Sequence, residues 1–293
     1  MEFRVLKYFL AVSREENISR AAEYLHLSQP TLSRQLMQLE EDLGCKLMNR
    51  GKRNHKVSLT DEGIKLRRRA EEIVELIDKT EAEFTTRDDS VSGDIYIGGG
   101  ETDAMRFIAK TVRELQDEYP HIHYHLFSGN AEDVADRLGK GLLDFAVLVG
   151  TADKSKYDFL PLPVSDIWGL LIPKDCPLAS KRRIRPEDLE GLPLLVSRQA
   201  LDNNELSGWH GGGFEKLNIV ATYNLIFNAA LMVEEGIGYA LALEKLVNTT
   251  GDSKLCFRRL EPRLEAHLDI VWKKYQVFSK ATAKFIERLQ NNI

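Results

Sequence analysis

Residues 29–39, QPTLSRQLMQL, contain Arg34 and no acid, and Glu40, Glu41 and Asp42 follow at once. A solvated helix ordinarily mixes Glu and Lys along its length, because i,i+4 ion pairs stabilise it. Eleven positions cleared of carboxylates therefore narrow what this stretch can face. Local signals set its conformation. Ser28 is a good N-cap, and Pro30 fits the first turn, where its missing N–H costs nothing. Leu32, Leu36, Leu39 and Leu43 recur at i, i+4, i+7 and i+11 and predict one buried stripe. Gly44 ends the helix. Upstream, Phe3, Leu6, Phe9, Leu10 and Val12 predict a helix over 2–14. Asn17 or Ser19 offers a cap for a second helix, whose Ala21 and Ala22 let another backbone approach closely.

Two short helices joined by a tight turn form a helix-turn-helix pattern. The third helix would expose Gln29, Thr31, Ser33, Arg34, Gln35 and Gln38, side chains that reach base edges and phosphates. A carboxylate held against phosphates would be repelled, which explains why the acids resume only where the helix leaves the groove. Charge distribution agrees. Residues 1–69 hold 14 Lys/Arg against 9 Asp/Glu, net +5, whereas the remaining chain holds 26 against 36, net −10. A basic head on an acidic body points to a polyanion for the head alone.

Lys46 to Arg50 and His55 to Leu59 alternate around a basic turn and predict a hairpin. It reads as a wing reaching phosphates through Arg50, Lys52 and Arg53, or as an edge protected by lysine. Thr60 can cap a further helix with Asp61 and Glu62 in its first turn. In that helix Leu66, Ala70, Ile73, Ile77, Thr80 and Phe84 alternate steps of four and three, as in a coiled-coil seam whose apolar members are Leu66, Ala70, Ile73, Ile77 and Phe84. At about 1.5 Å per residue the rod would be on the order of 39 Å long. The seam meets either a second copy or the chain's own body.

With these residues in place, the chain resembles the LysR-type transcriptional regulators. The matching positions are Ala21, Ala22, Leu25, Ser28, Gln29, Pro30, Leu32, Ser33, Leu36, Leu39, Glu40, Leu43, Gly44, Leu47, Arg50, Leu59, Thr60 and Gly63, while Met48 stands where the family prefers Phe. The resemblance implies a winged helix-turn-helix domain over 1–60, with Ser28, Gln29, Pro30, Thr31, Ser33, Arg34, Gln38, Arg50, Lys52 and Arg53 on DNA. It implies a dimerising linker helix over 61–89 and a two-lobed effector domain over 90–293 resembling periplasmic binding proteins. Family members are usually homodimers or homotetramers on dyad-symmetric promoter sites that respond to a small molecule. RNA polymerase is a further candidate partner.

The body supports this reading independently. Strand-like and helix-like segments alternate from SGDIYIGGG to ATAKFIERLQ, which predicts parallel sheet built by crossover connections. Two α/β lobes follow, lobe I near 90–162 and 264–293, lobe II near 163–263. Ligands of open α/β sheets sit beyond the C-terminal ends of strands. Glu101, Thr102, Ser128, Gly129, Asn130, Ser197, Arg198, Asn224 and Asn228 occupy such junctions, as pocket groups, helix caps or both. Glu101 bears on ligand charge, because two like charges about 4 Å apart at an effective dielectric of about 20 repel by about 4 kcal/mol. A neutral, cationic or zwitterionic effector is therefore expected, with Arg198 available to pair with Glu101.

Other motifs exclude other chemistry. GGGE lacks the GK[ST] of a phosphate-binding loop, and no G-x-S-x-G accompanies WHGGGF (209–214), which reads instead as a glycine-rich loop near the cleft. His121, His123 and His125 share one strand face, and a metal is not expected there. Cys45, Cys176 and Cys256 form no metal-binding or disulfide spacing and predict reduced thiols. No apolar run reaches the roughly 18–20 residues of a membrane span, and the N-terminus does not read as a signal peptide. The expectation is a cytoplasmic, cofactor-free, non-enzymatic DNA-binding regulator acting on double-stranded DNA and a small-molecule effector. An enzyme or small-molecule-binding protein tethered to DNA, and a nonspecific DNA-packaging protein, are the alternatives.

Overall fold

A computed structural model describes residues 2–51, 56–85, 91–150, 155–211 and 216–293. The chain divides into two compact units, Met1–Thr85 and Thr86–Ile293.

In the first unit, α1 (Phe3–Glu15) buries Val5, Leu6, Phe9 and Val12 and ends at Glu16 in the left-handed region. Asn17 caps α2 (Ile18–Tyr24), its side chain accepting from the Ser19 and Arg20 amides at 2.9 and 3.0 Å. The packed alanines Ala21 and Ala22 are buried, as close helix contact requires. Ser28 caps α3 (Gln29–Leu43), and Gly44 closes it at φ 66°. Leu32, Leu36 and Leu39 are buried, but Leu43 is 41% exposed, against expectation. The chain turns back at Gly44, and Leu47 takes the next place in the core. Glu40 secures that return, its Oε1 accepting from the Leu47 and Met48 amides at 2.9 and 3.2 Å.

Strands β1 (Met48–Arg50) and β2 (Val57–Leu59) pair antiparallel as the expected hairpin. Thr60 caps α4 (Asp61–Thr85), accepting from the Gly63 amide at 3.0 Å and donating to the Lys46 carbonyl at 2.7 Å. A Cβ on Gly63 would lie 2.0 Å from the Leu47 carbonyl oxygen, so only glycine allows this approach of helix to strand.

The second unit holds one mixed sheet in the order β4-β3-β5-β11-β6-β9-β7-β8, with β10 also on β6. In lobe I, β3 (Gly93–Gly99) lies between β4 (Ile122–Ser128) and β5 (Phe145–Val149), all parallel. Helices α5 (Met105–Glu118) and α6 (Ala131–Gly139) make the crossovers. The long strand β6 (Tyr157–Pro173) carries the chain into lobe II. There β7 (Leu194–Ser197), α7 (Arg198–Asp202), α8 (Ser207–His210), β8 (Ile219–Tyr223), α9 (Ile226–Glu234), β9 (Tyr239–Leu243) and β10 (Leu255–Arg259) follow. β11 (Glu265–Lys273) returns to lobe I, and α10 (Lys280–Asn291) packs with α5, where Arg288 pairs with Glu118.

The parallel pairing expected from strand–helix alternation is found among β3, β4 and β5 and among β7, β8 and β9, within a sheet that is mixed as a whole. β6, β10 and β11 pair antiparallel with their neighbours, because the strands that cross between lobes run out and back. β6 and β11 lie side by side, with a register shift between His267 and Asp269. Lobe I closes around Ile95, Ile97, Ile108, Phe145, Ile270 and Phe285. Lobe II closes on one sheet face around Leu170, Leu194, Val196 and Leu241, and on the other around Leu195, Ile226, Val233 and Ala240.

Candidate functional site

Ser28, Gln29, Pro30, Arg34 and Gln38 are exposed on α3, while Thr31 and Ser33 are half-buried beside them. The Ser28 hydroxyl accepts from the Thr31 amide at 3.3 Å, which leaves the helix start rigid and polar. Gln29 donates to the Ser33 hydroxyl at 3.0 Å, and Gln38 donates to Asp42 at 3.0 Å. Two of the three acids after the cleared stretch are thus occupied, Glu40 by backbone amides and Asp42 by Gln38. The side chain of Arg50, and Lys52 and Arg53 entirely, lie outside the described residues. The basic run at the start of α4 is partly neutralised along its own helix. Arg67 pairs with Glu71, and both Arg68 and Arg69 pair with Glu72.

The seam expected on α4 divides. Ala70 is fully buried and Leu66 half-buried, both packed with Val74 against the core formed by α1, α2 and α3. Leu66 and Ala70 therefore belong to the head's own core rather than to a free seam. An i, i+4, i+8 core stripe and a heptad seam share most of their positions, which is why the sequence pattern ran them together. Ile73 and Leu76 remain 37% and 41% exposed, and Ile77 is half-buried. The Phe84 side chain lies outside the described residues.

In the body, the C-terminal ends of β3, β4, β7 and β8 converge on a small cavity of about 70 Å³ between the lobes. Of the expected residues, Glu101, Gly129, Asn130, Ser197 and Asn224 line it. Asn130 serves also as the α6 cap, accepting from the Asp133 amide at 2.8 Å. Thr102 and Ser128 line an adjoining hollow with Met105, Leu126 and Lys245. Arg198 and Asn228 are corrected, since both are exposed and neither lines the cavity. At the turn from β7 into α7, Ser197 points to the cavity and Arg198 does not. Asn228 lies on the outer face of α9, beside the buried pair Ala229 and Ala230.

Glu101 does not pair with Arg198. Its Oε2 accepts from the Ile226 amide at 2.5 Å, so a lobe I carboxylate sits on the N-terminus of a lobe II helix. Two neighbouring residues reinforce this closure. Thr102 donates to Asp166 of the crossover strand at 2.5 Å, and Lys245 reaches Asp103 at 2.9 Å. Burial pushes the Asp103 carboxyl up, but Lys245 and Arg106 more than offset this and hold it below the ordinary range. Asp166 is buried enough that its carboxyl stays raised despite the Thr102 hydroxyl.

The cavity also takes groups that carry no local motif: Trp168, Gln199, Glu205 and Tyr223. The Tyr223 hydroxyl donates to the Leu241 carbonyl at 2.6 Å. In the glycine-rich loop, Trp209 is buried and donates to the Pro262 carbonyl, while Gly212, Gly213 and Phe214 lie outside the described residues. His125 stacks on Tyr96 at 4.5 Å and meets Asp94 at 2.7 Å. No described helix is long and apolar enough to cross a membrane, and the three cysteines are free thiols.

Residues 3–64 match the family model of the bacterial regulatory helix-turn-helix protein, lysR family, and residues 88–293 match that of the LysR substrate binding domain. An uncharacterized HTH-type transcriptional regulator of Bacillus subtilis, YvbU, is 25% identical over 288 residues, covering 98% of this chain and 97% of the relative. The HTH-type transcriptional regulator BsdA of the same organism is 30% identical over 199 residues, covering 68% and 67%. Among solved structures, the LysR family regulator CbnR aligns over 100% of this chain and 99% of its own with a TM-score of 0.79 at 20% identity. Full-length CbnR complexed with its target DNA aligns over 100% of both chains with a TM-score of 0.77 at 19% identity. At such identity the two solved structures speak for the fold.

Proposed function

The chain belongs to the LysR family of DNA-binding transcriptional regulators with an effector-binding domain, and from that premise we propose the finer assignment of its parts. The exposed face of α3, led by Gln29, Ser33 and Arg34, reads base edges in the major groove, and the hairpin tip reaches phosphates. Two copies join through the exposed part of α4, centred on Ile73 and Leu76, and engage a dyad-symmetric operator. A small molecule in the cavity between the lobes shifts the balance of DNA contacts, with RNA polymerase as the downstream partner. The site of action is the cytoplasm, and no catalytic step is part of this role.

One observation carries the reading. The α3 face is polar and free of carboxylates over residues 29–39, and its start is fixed by the Ser28 cap. Gln29 already spans one helical turn to Ser33, so an incoming base edge meets an amide and a hydroxyl held in register. Gln29→Ala should lose about 1–3 kcal/mol of discrimination between operator and random DNA. Competition gel shifts at fixed salt measure it. An unchanged preference for the operator would remove α3 as the reading element.

A further inference from the structure

We propose that the cavity between the lobes is built for a small organic cation, an ammonium group on an apolar body, with Glu205 as its counter-charge. The inference rests on the effector reading above and names the chemical class of that effector. Among the described residues lining the cavity are two carboxylates, Glu101 and Glu205, and no lysine or arginine. The two carboxylates are not equivalent. Glu101 is engaged, because its Oε2 accepts from the Ile226 amide at the start of α9. A helix N-terminus is where an anionic ligand would ordinarily dock. Here the chain's own carboxylate holds that place, so an anion would have to displace it and then lie between two negative charges.

Glu205 is held differently. It is half-buried at the cavity wall, and the Asn203 amide reaches it only at 3.5 Å, too long for a firm hydrogen bond. Burial pushes its carboxyl up, and Asn203 only partly counters this. A half-buried carboxylate with so weak a partner gains from a cation delivered beside it. The rest of the wall suits the body of such a ligand. Trp168, Tyr223 and Leu243 supply aromatic and apolar surface, and aromatic walls favour ammonium compounds further.

The test uses the full-length chain with four probes of similar size: putrescine, choline, succinate and glycerol. Calorimetry gives affinity, and fluorescence of Trp168, with Trp168→Phe as the control, reports occupancy of this cavity. At least one of the two cations should bind with a Trp168 response, and Glu205→Gln, close to isosteric, should weaken it about tenfold or more. Succinate and glycerol should give no response in either protein. Succinate binding ahead of both cations overturns the proposal, as does cation affinity unchanged in Glu205→Gln, or no cation response at millimolar concentration. Footprinting on operator DNA separates this from the reading beneath it. A succinate-type ligand that alters the footprint leaves the effector role intact and removes the cation. A cation that binds through Glu205 without altering the footprint leaves this site intact and removes the effector role.

Discussion

The face of α3 and the cavity between the lobes treat charge in opposite ways. The helix keeps one arginine and excludes carboxylates over eleven residues. The described cavity wall keeps two carboxylates and excludes lysine and arginine. The chain's formal charge of −5 describes neither surface. A site selects by the sign it presents within a few ångströms, because beyond roughly 8–10 Å salt screens exposed charges. The two regions also differ in how their polar groups are held. On α3 the side chains bond to near neighbours, Gln29 to Ser33 and Gln38 to Asp42. In the cavity Glu101 bonds across a gap of 125 residues to the other lobe.

The comparison breaks most severely if the helix is given the sign of the cavity. Arg34→Glu removes a cation and adds an anion on the face assigned to DNA. Operator affinity should fall by about two orders of magnitude or more, with a salt slope shallower by about one or two. Fluorescence anisotropy at two ionic strengths measures both, and an unchanged slope would mean that Arg34 faces away from phosphate.

A smaller effect follows from taking one carboxylate out of the cavity. Glu101→Ala leaves the Ile226 amide without its partner, which should cost about 1–3 kcal/mol. Trp168, Trp209 and Trp272 are the chain's three tryptophans and all lie in the body, so their fluorescence follows its unfolding alone. No shift of the urea midpoint would mean that the Glu101 contact contributes nothing to closure.

The smallest effect concerns the ion pair in the adjoining hollow, between exposed Lys245 and Asp103. Lys245→Ala should cost about 0–1 kcal/mol at neutral pH. Asp103 titrates below its ordinary value in the folded protein. Its stabilising contribution is therefore present above the ordinary carboxylate range and is lost as pH falls through the folded value. Melting temperatures of wild type and Lys245→Ala should converge on acidification, and a gap that widens instead would contradict the pairing.

Legibility differed between the two regions for a physical reason. The caps at Asn17, Ser28 and Thr60 and the turn at Gly44 each act within a few residues, so sequence spacing alone located α2, α3 and α4. Glu40 acts across seven and eight residues on a returning strand, and nothing in its local pattern marked it. Leu66 and Ala70 fit a seam with a second copy and a stripe on the chain's own body alike, because helix periodicity reports a face without saying what covers it. In the body, every strand-to-helix junction supplies small polar residues. Asn130 and Asn224 lie in the cavity wall while Arg198 and Asn228 do not, and the sequence holds no rule that separates them. Glu205 and Trp168 line the cavity from separate segments of lobe II, a separation that no local pattern bridges.

The crossing between the lobes has a mechanical consequence. β6 and β11 join the lobes as adjacent hydrogen-bonded strands, and the ladder slips register between His267 and Asp269. A two-stranded ribbon resists stretching and sliding along its hydrogen bonds, but it bends and twists readily, most of all at a bulge. The lobes are thus two arms on a soft pivot. The Thr102–Asp166 bond ties lobe I to the crossing strand itself, and the Ile226–Glu101 and Lys245–Asp103 contacts bridge the lobes beside it. Any bend of the ribbon must stretch these bridges, so the stiffness of closure is set by a few polar contacts and not by the ribbon.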